Sequence, residues 1–122
     1  MSEEGLPPWL REQLARYEQL QQSLQAIVSQ KQVLEAEMSE TERAVEELRK
    51  APSEATVYKR AGSVLVKANR DELLKELEEK KDLTNTRIMV LAKQEERIRA
   101  NLQEVQDKVN ESLKGKQQPP AS

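Results

Sequence analysis

Apolar residues recur at alternating spacings of three and four in two long stretches of this 122-residue chain. This heptad spacing keeps one stripe of side chains on one face of a helix and is typical of a coiled coil. The first stretch covers residues 7–49, with a stripe of Leu10, Gln13, Tyr17, Leu20, Leu24, Ile27, Lys31, Leu34, Met38, Thr41, Val45 and Leu48. The second covers residues 70–114, with a stripe of Leu74, Leu77, Lys81, Thr84, Ile88, Leu91, Glu95, Ile98, Leu102, Val105, Val109 and Ser112.

Two helices of similar length joined by a short linker predict a mainly α fold, an antiparallel two-helix coiled coil. Pro52 ends the first helix, Asn69 followed by Glu72 suits the N-cap of the second, and Gly115 is expected to stop it. We expect a single domain over residues 1–122, with a disordered tail over 115–122.

The coiled-coil stripes contain polar residues, among them Gln13, Lys31, Thr41, Thr84 and Glu95. The stripe is the seam along which the two helices pack. Polar residues in the seam weaken helix pairing and help to specify its register. A second interpretation is that they loosen the helices so that the pair can receive a partner. The sequence leaves both interpretations open.

The heptad spacing of apolar residues stops in the linker between the two helices. Residues 56–59 and 64–67 are short runs of strand-forming residues, and Gly62 lies between them. Glycine gives a tight turn the backbone freedom that it needs, so residues 56–67 are predicted to form a β-hairpin.

A lone two-stranded hairpin is marginally stable in water and leaves two edges unpaired. We therefore expect this hairpin to pair with hairpins of other subunits, by edge addition or by closure into an intersubunit β-barrel. The alternative is that it folds back onto the helix ends of its own subunit. The candidate assembly residues are Val57, Tyr58, Gly62, Val64, Leu65 and Val66.

Composition argues against an enzyme. The chain has no Cys and no His, its net charge is −2, and it has only three glycines. Thiolate, imidazole and phosphate-loop chemistry are therefore not expected, and neither is a metal or a cofactor. Acidic pairs such as Glu46-Glu47 are typical of a solvated helix face. The charge balance predicts no nucleic-acid binding, and the lack of a long apolar run predicts a cytoplasmic protein without a membrane partner.

Apolar residues also lie outside the stripes, close to where the first helix begins and the second ends. They are Leu6, Trp9, Leu14 and Leu113. An antiparallel pair would bring them together at one tip, and exposed apolar groups on a charged surface indicate a binding surface. For Trp9, a local contact with the neighbouring helix is an equally simple explanation.

Three runs of residues, in this order, resemble the β-type prefoldin subunit family. They are Ala26-Ile27-Val28-Ser29-Gln30-Lys31-Gln32-Val33-Leu34-Glu35 in the first helix, Val57-Tyr58-Lys59 with Gly62 and Leu65-Val66-Lys67 in the hairpin, and Leu91-Ala92-Lys93-Gln94-Glu95-Glu96-Arg97 in the second helix. The resemblance extends from about Leu10 to Leu113. A single hairpin between two long helices is typical of the β type.

The resemblance implies a chaperone subunit that works without ATP and without a cofactor. It implies a hexamer of two α-type and four β-type subunits whose hairpins close into β-barrels. Non-native polypeptides would be held at the coiled-coil tips, here by Leu6, Trp9, Leu10, Leu14, Val109 and Leu113, and passed to a group II chaperonin. Two other functions stay open at this point: a structural coiled-coil scaffold and a nucleic-acid-binding coiled-coil arm.

Overall fold

The computed structural model describes residues 5–117, with side chains as far as Lys114. Helix α1 spans Pro8–Lys50, strand β1 Val57–Ala61, strand β2 Val64–Ala68 and helix α2 Arg70–Gln117. The two strands pair in antiparallel orientation. The predicted fold class, two long helices with a short β-hairpin at their connection, is confirmed.

The heptad pattern predicts which side chains are shielded from solvent. All twelve stripe positions of α1 and all twelve of α2 are buried or half-buried. The most deeply buried of them are Val45, Leu48 and Val105, together with Thr41 and Thr84. The stripe is therefore the core of the molecule, as expected for a coiled-coil seam.

The chain forms two compact units. One, the hairpin unit, comprises Lys31–Val90; the other, the helix-end unit, comprises the described parts of Met1–Gln30 and Leu91–Ser122. In the hairpin unit the end of α1 lies beside the start of α2, because Arg70 Nε donates to the Leu48 carbonyl at 2.8 Å. Farther from the hairpin, Lys80 Nζ lies 3.7 Å from a carboxylate oxygen of Glu37. These pairs fix the antiparallel orientation of the helices within this unit.

The helix-end unit contains the beginning of α1 and the end of α2. Gln13 and Tyr17 of α1 line one small groove together with Val105 and Val109 of α2. The two helices are therefore neighbours within this unit as well.

Local signals explain where α2 begins. The side-chain oxygen of Asn69 accepts hydrogen bonds from the backbone N–H groups of Asp71 and Glu72, both at 3.0 Å. These are donors that a helix cannot satisfy in its first turn, and the two acidic side chains also complement the positive end of the helix. The predicted N-cap is confirmed.

Two expected boundaries are wrong. Gly115 does not stop α2, which continues to Gln117; a glycine inside a helix costs only about 1 kcal/mol relative to alanine. The hairpin expected over 56–67 occupies 57–68, because β1 begins at Val57, whose partner in β2 is Ala68. Arg60 and Ala61 belong to β1 rather than to the turn. The rest of the predicted tail, residues 118–122, lies outside the described residues, as do residues 1–4.

Candidate functional site

The hairpin turn consists of two residues, Gly62 and Ser63, since Ala61 pairs with Val64. Gly62 has a φ of 63°, and no other residue type in the described chain has a positive φ. A positive φ at the first turn residue alone is the signature of a type II′ turn, whose twist matches that of the flanking strands. This match explains why β1 and β2 stay paired up to Ala61 and Val64, the two residues that flank the turn.

The strand register sorts the candidate assembly residues onto two faces. Residues directly opposite one another share a face, and Val57 pairs with Ala68, Lys59 with Val66, and Ala61 with Val64. One face therefore carries Val57, Val64 and Val66. The other face carries Tyr58 and Leu65 together with Arg60 and Lys67.

The candidate assembly residues are largely open to solvent in the single chain. Tyr58, Val64, Leu65 and Val66 are exposed, and Val57 is half-buried. The two strands form a sheet with no third strand among the described residues, so both edges of the hairpin are unpaired. This combination of exposed apolar side chains and open edges is what β-strand addition requires.

A wide groove lies beside the hairpin, within the hairpin unit. It has a volume of about 1010 Å³, and its apolar lining includes Leu48, Tyr58, Leu65, Leu73, Leu77 and Leu83. Across it, the Lys59 ammonium group forms an ion pair with Glu76 of α2. This pair connects the hairpin to α2.

A second, smaller groove lies in the helix-end unit and is called the tip groove below. It has a volume of about 160 Å³ and is lined by Gln13, Leu14, Tyr17, Val105, Gln106, Val109 and Asn110. Of the six tip residues predicted from the sequence, the groove brings together Leu14 and Val109. The other four, Leu6, Trp9, Leu10 and Leu113, are outside its lining.

The exposure of the predicted tip residues falls into two groups. Trp9, Leu14 and Leu113 are 42%, 44% and 41% exposed, whereas Leu6, Leu10 and Val109 are half-buried. Leu10 and Val109 are stripe residues, so their partial burial follows from helix pairing. The three exposed side chains lie where α1 begins and α2 ends, so they leave apolar surface at the helix ends of this unit.

Five residues of the tip groove were not among the predicted site residues: Gln13, Tyr17, Val105, Gln106 and Asn110. The first three are stripe positions, so the heptad pattern predicts their inward orientation but not that a groove opens between them. The side-chain oxygen of Gln13 is buried and has no hydrogen-bond partner among the described residues. The Tyr17 hydroxyl accepts a hydrogen bond from Gln21 at 3.3 Å.

Two features of the described residues bear on the other functions. They contain no group of three or more Asp and Glu side chains placed to hold a metal ion. Neither helix, over the residues described, has an apolar segment of the length that a bilayer crossing requires.

Comparison with known proteins decides the family. The family model described as "Prefoldin subunit" matches residues 11–116, which is most of the chain. The chain belongs to the prefoldin family. This family consists of chaperone subunits that are not enzymes, and membership implies that the chain assembles with other prefoldin subunits.

Individual relatives agree with this prefoldin assignment. The chain is 42% identical to the prefoldin subunit beta of Methanothrix thermoacetophila over 108 residues, which are 88% of this chain and 90% of that protein. It is 43% identical to the prefoldin subunit beta of Archaeoglobus fulgidus, over 88% of this chain and 93% of that one. The predicted resemblance to β-type subunits is confirmed.

Solved prefoldin structures have the same fold. The crystal structure of the prefoldin beta subunit from Thermococcus strain KS-1 matches with a TM-score of 0.84 and 32% identity, over 94% of this chain and 98% of that one. The beta2 subunit from the same strain matches with a TM-score of 0.67 and 30% identity, over 75% of this chain and 97% of that one.

Proposed function

We propose that this prefoldin subunit holds non-native polypeptides at the ends of its helices, without ATP, and so prevents their aggregation. The observation that supports this most directly is the exposure of Trp9, Leu14 and Leu113 where α1 begins and α2 ends. An unfolded polypeptide exposes apolar side chains of its own. Contact between the two surfaces removes apolar area from water, which contributes roughly 25 cal/mol per Å².

Capture at these ends combines weak contacts. Leu6, Leu10 and Val109 are half-buried, and they add apolar surface when the helix ends loosen. Each contact is small, but several subunits that act on one polypeptide raise the overall affinity through effective concentration. Weak individual contacts also allow the polypeptide to be released.

The proposed assembly is a hexamer of two α-type subunits and four copies of this β-type chain. Its hairpins would close into β-barrels through Val57, Tyr58, Val64, Leu65 and Val66, with Gly62 in the turn. Barrel closure pairs the two hairpin edges that are open in the single chain. We further propose that the complex is cytoplasmic, has no nucleic-acid or membrane partner, and transfers its clients to a group II chaperonin.

The test of capture is light scattering from a denatured model protein diluted into buffer without ATP. We expect the complex of this chain with an α-type partner to suppress aggregation at near-stoichiometric amounts. A triple variant with Trp9→Ser, Leu14→Ser and Leu113→Ser should lose most of this suppression. The matched control is Val33→Ser, Met89→Ser and Val90→Ser, which removes three other exposed apolar side chains and should keep it.

The results of this assay distinguish capture at the helix ends from a purely structural role. Equal loss in both triple variants would contradict capture at the helix ends. A well-formed complex that never suppresses aggregation would leave the fold standing and would favour a structural scaffold. Transfer is tested by following a fluorescent client from the complex to a group II chaperonin by size-exclusion chromatography, and retention of the client on the complex would contradict that step.

A further inference from the structure

Gln13 is a polar seam residue of α1 in the helix-end unit, and its burial opposes helix pairing. Its side-chain oxygen is fully shielded from solvent and accepts no hydrogen bond from any described residue. A buried acceptor without a donor is unfavourable, because it has lost its hydrogen bonds to water and gained none in exchange. When the two helices separate at this position, the oxygen regains water as a partner. The cost of burying Gln13 is therefore present in the paired state alone.

The polar seam residue Thr41 carries no such cost. Its hydroxyl donates to the Glu37 carbonyl at 2.9 Å, a hydrogen bond within α1 that does not depend on whether the helices are paired. Within the part of the chain that the structure describes, Gln13 is the only residue with a fully buried side-chain polar atom that lacks a partner. Among the described seam residues, this penalty against pairing is therefore specific to Gln13.

The two ends of α1 also differ in how completely pairing shields the seam. The last three seam positions of α1, at the hairpin, are all buried: Thr41, Val45 and Leu48. The first three are only half-buried: Leu10, Gln13 and Tyr17. Because hydrophobic stabilisation scales with the apolar area removed from water, pairing contributes less where α1 begins.

The tip groove lies between the helices at the same place. Three residues of α1, Gln13 among them, and four residues of α2 line its volume of about 160 Å³. Side chains that border such a space lack partner atoms on one side and lose dispersion attraction there. The groove therefore weakens pairing in addition to the unpaired oxygen.

Ion pairs and hydrogen bonds between side chains differ between the two units as well. In the hairpin unit, Arg49 contacts Glu78 at 2.8 Å and Lys80 contacts Glu37 at 3.7 Å, and both pairs join α1 to α2. Pairs beside the tip groove join residues of one helix: Gln21 with Tyr17, Gln103 with Asp107, and Lys108 with Glu104. Pairs of the second kind stabilise each helix, but they survive separation of the two.

We propose that Gln13 holds the seam of the helix-end unit close to separation, so that the helices part there when a polypeptide is captured. This inference rests on the proposed holding of non-native polypeptides. Separation exposes the half-buried Leu10 and Val109 in addition to the exposed Leu14, and so enlarges the apolar surface that a polypeptide can cover. Gln13 is a positioning residue: it does not bind the polypeptide, and it sets how readily the apolar side chains around it become available.

The test compares helix separation with peptide affinity in the complex of this chain with an α-type partner. Separation is measured by hydrogen exchange of the backbone amides of residues 14–21 and 102–109, because a helix without its partner is marginal in water and its amides exchange. Affinity is the Kd of a fluorescein-labelled, unstructured peptide rich in leucine. The variant Gln13→Leu removes the unpaired acceptor and supplies the residue that a seam favours. Gln22→Leu, at an exposed position of α1, is the matched control.

We expect Gln13→Leu to slow exchange of these amides about five- to hundredfold, the range that relief of one buried unpaired acceptor gives. The Kd should rise at least about threefold, because a ligand that prefers the open state binds less tightly when that state is rarer. Gln22→Leu should change neither quantity. Gln13→Glu places a carboxylate in the seam, so it should speed exchange and lower the Kd.

The direction of the change in Kd decides between this inference and simple hydrophobic capture. Gln13→Leu makes the chain more apolar at this position, so capture by a closed surface would be unchanged or tighter. If exchange slows and the Kd does not rise, polypeptides bind without separation of the helices and the inference is wrong. It is also wrong if Gln13→Leu leaves exchange unchanged, since the seam is then not weakened by Gln13. A wild-type complex that does not bind the peptide would instead contradict the proposed function itself.

Discussion

The Arg70 side chain binds the end of the preceding helix: its Nε donates to the Leu48 carbonyl at 2.8 Å, and its second terminal nitrogen donates to the Arg49 carbonyl at 3.2 Å. Carbonyl groups in the last turn of a helix lack the donors that a further turn would provide. A guanidinium group supplies those donors and also places positive charge at the negative end of the helix dipole. Arg70 thereby joins the first residue of α2 to the last turn of α1.

Removal of this guanidinium should destabilise the hairpin unit. We expect Arg70→Ala to lower the free energy of unfolding by about 1–3 kcal/mol, because two carbonyls lose a charged donor. Arg70→Lys should recover only part of it, since an ammonium group cannot present the same planar fork. Urea denaturation followed by circular dichroism measures the difference. Arg43→Ala, at an exposed position of α1, is the control, and an equal loss there would contradict this role.

Two valines of α1 should respond in opposite ways to the same substitution. Val45 is 3% exposed and Val33 is 67% exposed. Val45→Ala removes buried methyl groups from the seam and should cost about 1–3 kcal/mol of stability. Val33→Ala loses little burial and gains helix propensity, so it should be neutral or stabilising by up to about 0.5 kcal/mol. Thermal unfolding of the two variants side by side checks this, and equal shifts in Tm would mean that the seam is misassigned.

The seam could be predicted from the sequence because it depends only on periodicity. A spacing of three and four places residues such as Leu34 and Val45 on one helix face whatever their partners are, and even the polar Lys31 and Glu95 follow the pattern into half-buried positions. The hairpin could also be predicted from a local pattern, since two short strand-forming runs on either side of a glycine are typical of a β-hairpin.

Other features depend on geometry that no local pattern encodes. The contact from Arg70 to Leu48 depends on how the linker brings the two helix ends together, and an arginine at that position has no distinctive sequence signal. The type II′ turn at Gly62 was missed because a glycine between two runs fits both a two-residue and a four-residue turn. The tip groove is lined by seam residues such as Gln13 and by off-seam residues such as Leu14, and the heptad pattern, which assigns only helix faces, does not predict a groove there.

The hairpin turn should depend on glycine at one of its two residues only. Gly62 has a φ of 63°, a backbone conformation that is strained in residues with a side chain, whereas Ser63 has no positive φ. Gly62→Ala should destabilise the hairpin by about 1–3 kcal/mol, and Ser63→Ala should change little. Because an added Cβ at Gly62 meets no atom within 4 Å, any loss must come from the backbone rather than from a clash. Hydrogen exchange of the strand amides measures it, and equal protection in both variants would contradict the turn assignment.

The two faces of the hairpin should contribute unequally to assembly. The face with Val57, Val64 and Val66 also carries Ala61 and Ala68, and Lys59 is its single charged residue. The opposite face carries Tyr58 and Leu65 between Arg60 and Lys67. In a small closed barrel the interior is filled by side chains, so the more apolar face is the one expected to point inward.

A matched pair of substitutions distinguishes these faces. Val66→Asp places a carboxylate on the face expected to be inside and should abolish the complex with the α-type partner, because a buried unpaired charge is strongly unfavourable. Leu65→Asp, one residue earlier and on the opposite face, should weaken assembly far less, although Leu65 is the more exposed of the two in the single chain. Sedimentation velocity of each variant mixed with the partner measures the fraction assembled. If Leu65→Asp is the more disruptive change, the inward face has been assigned the wrong way round; if both variants assemble fully, the hairpin is not the assembly surface.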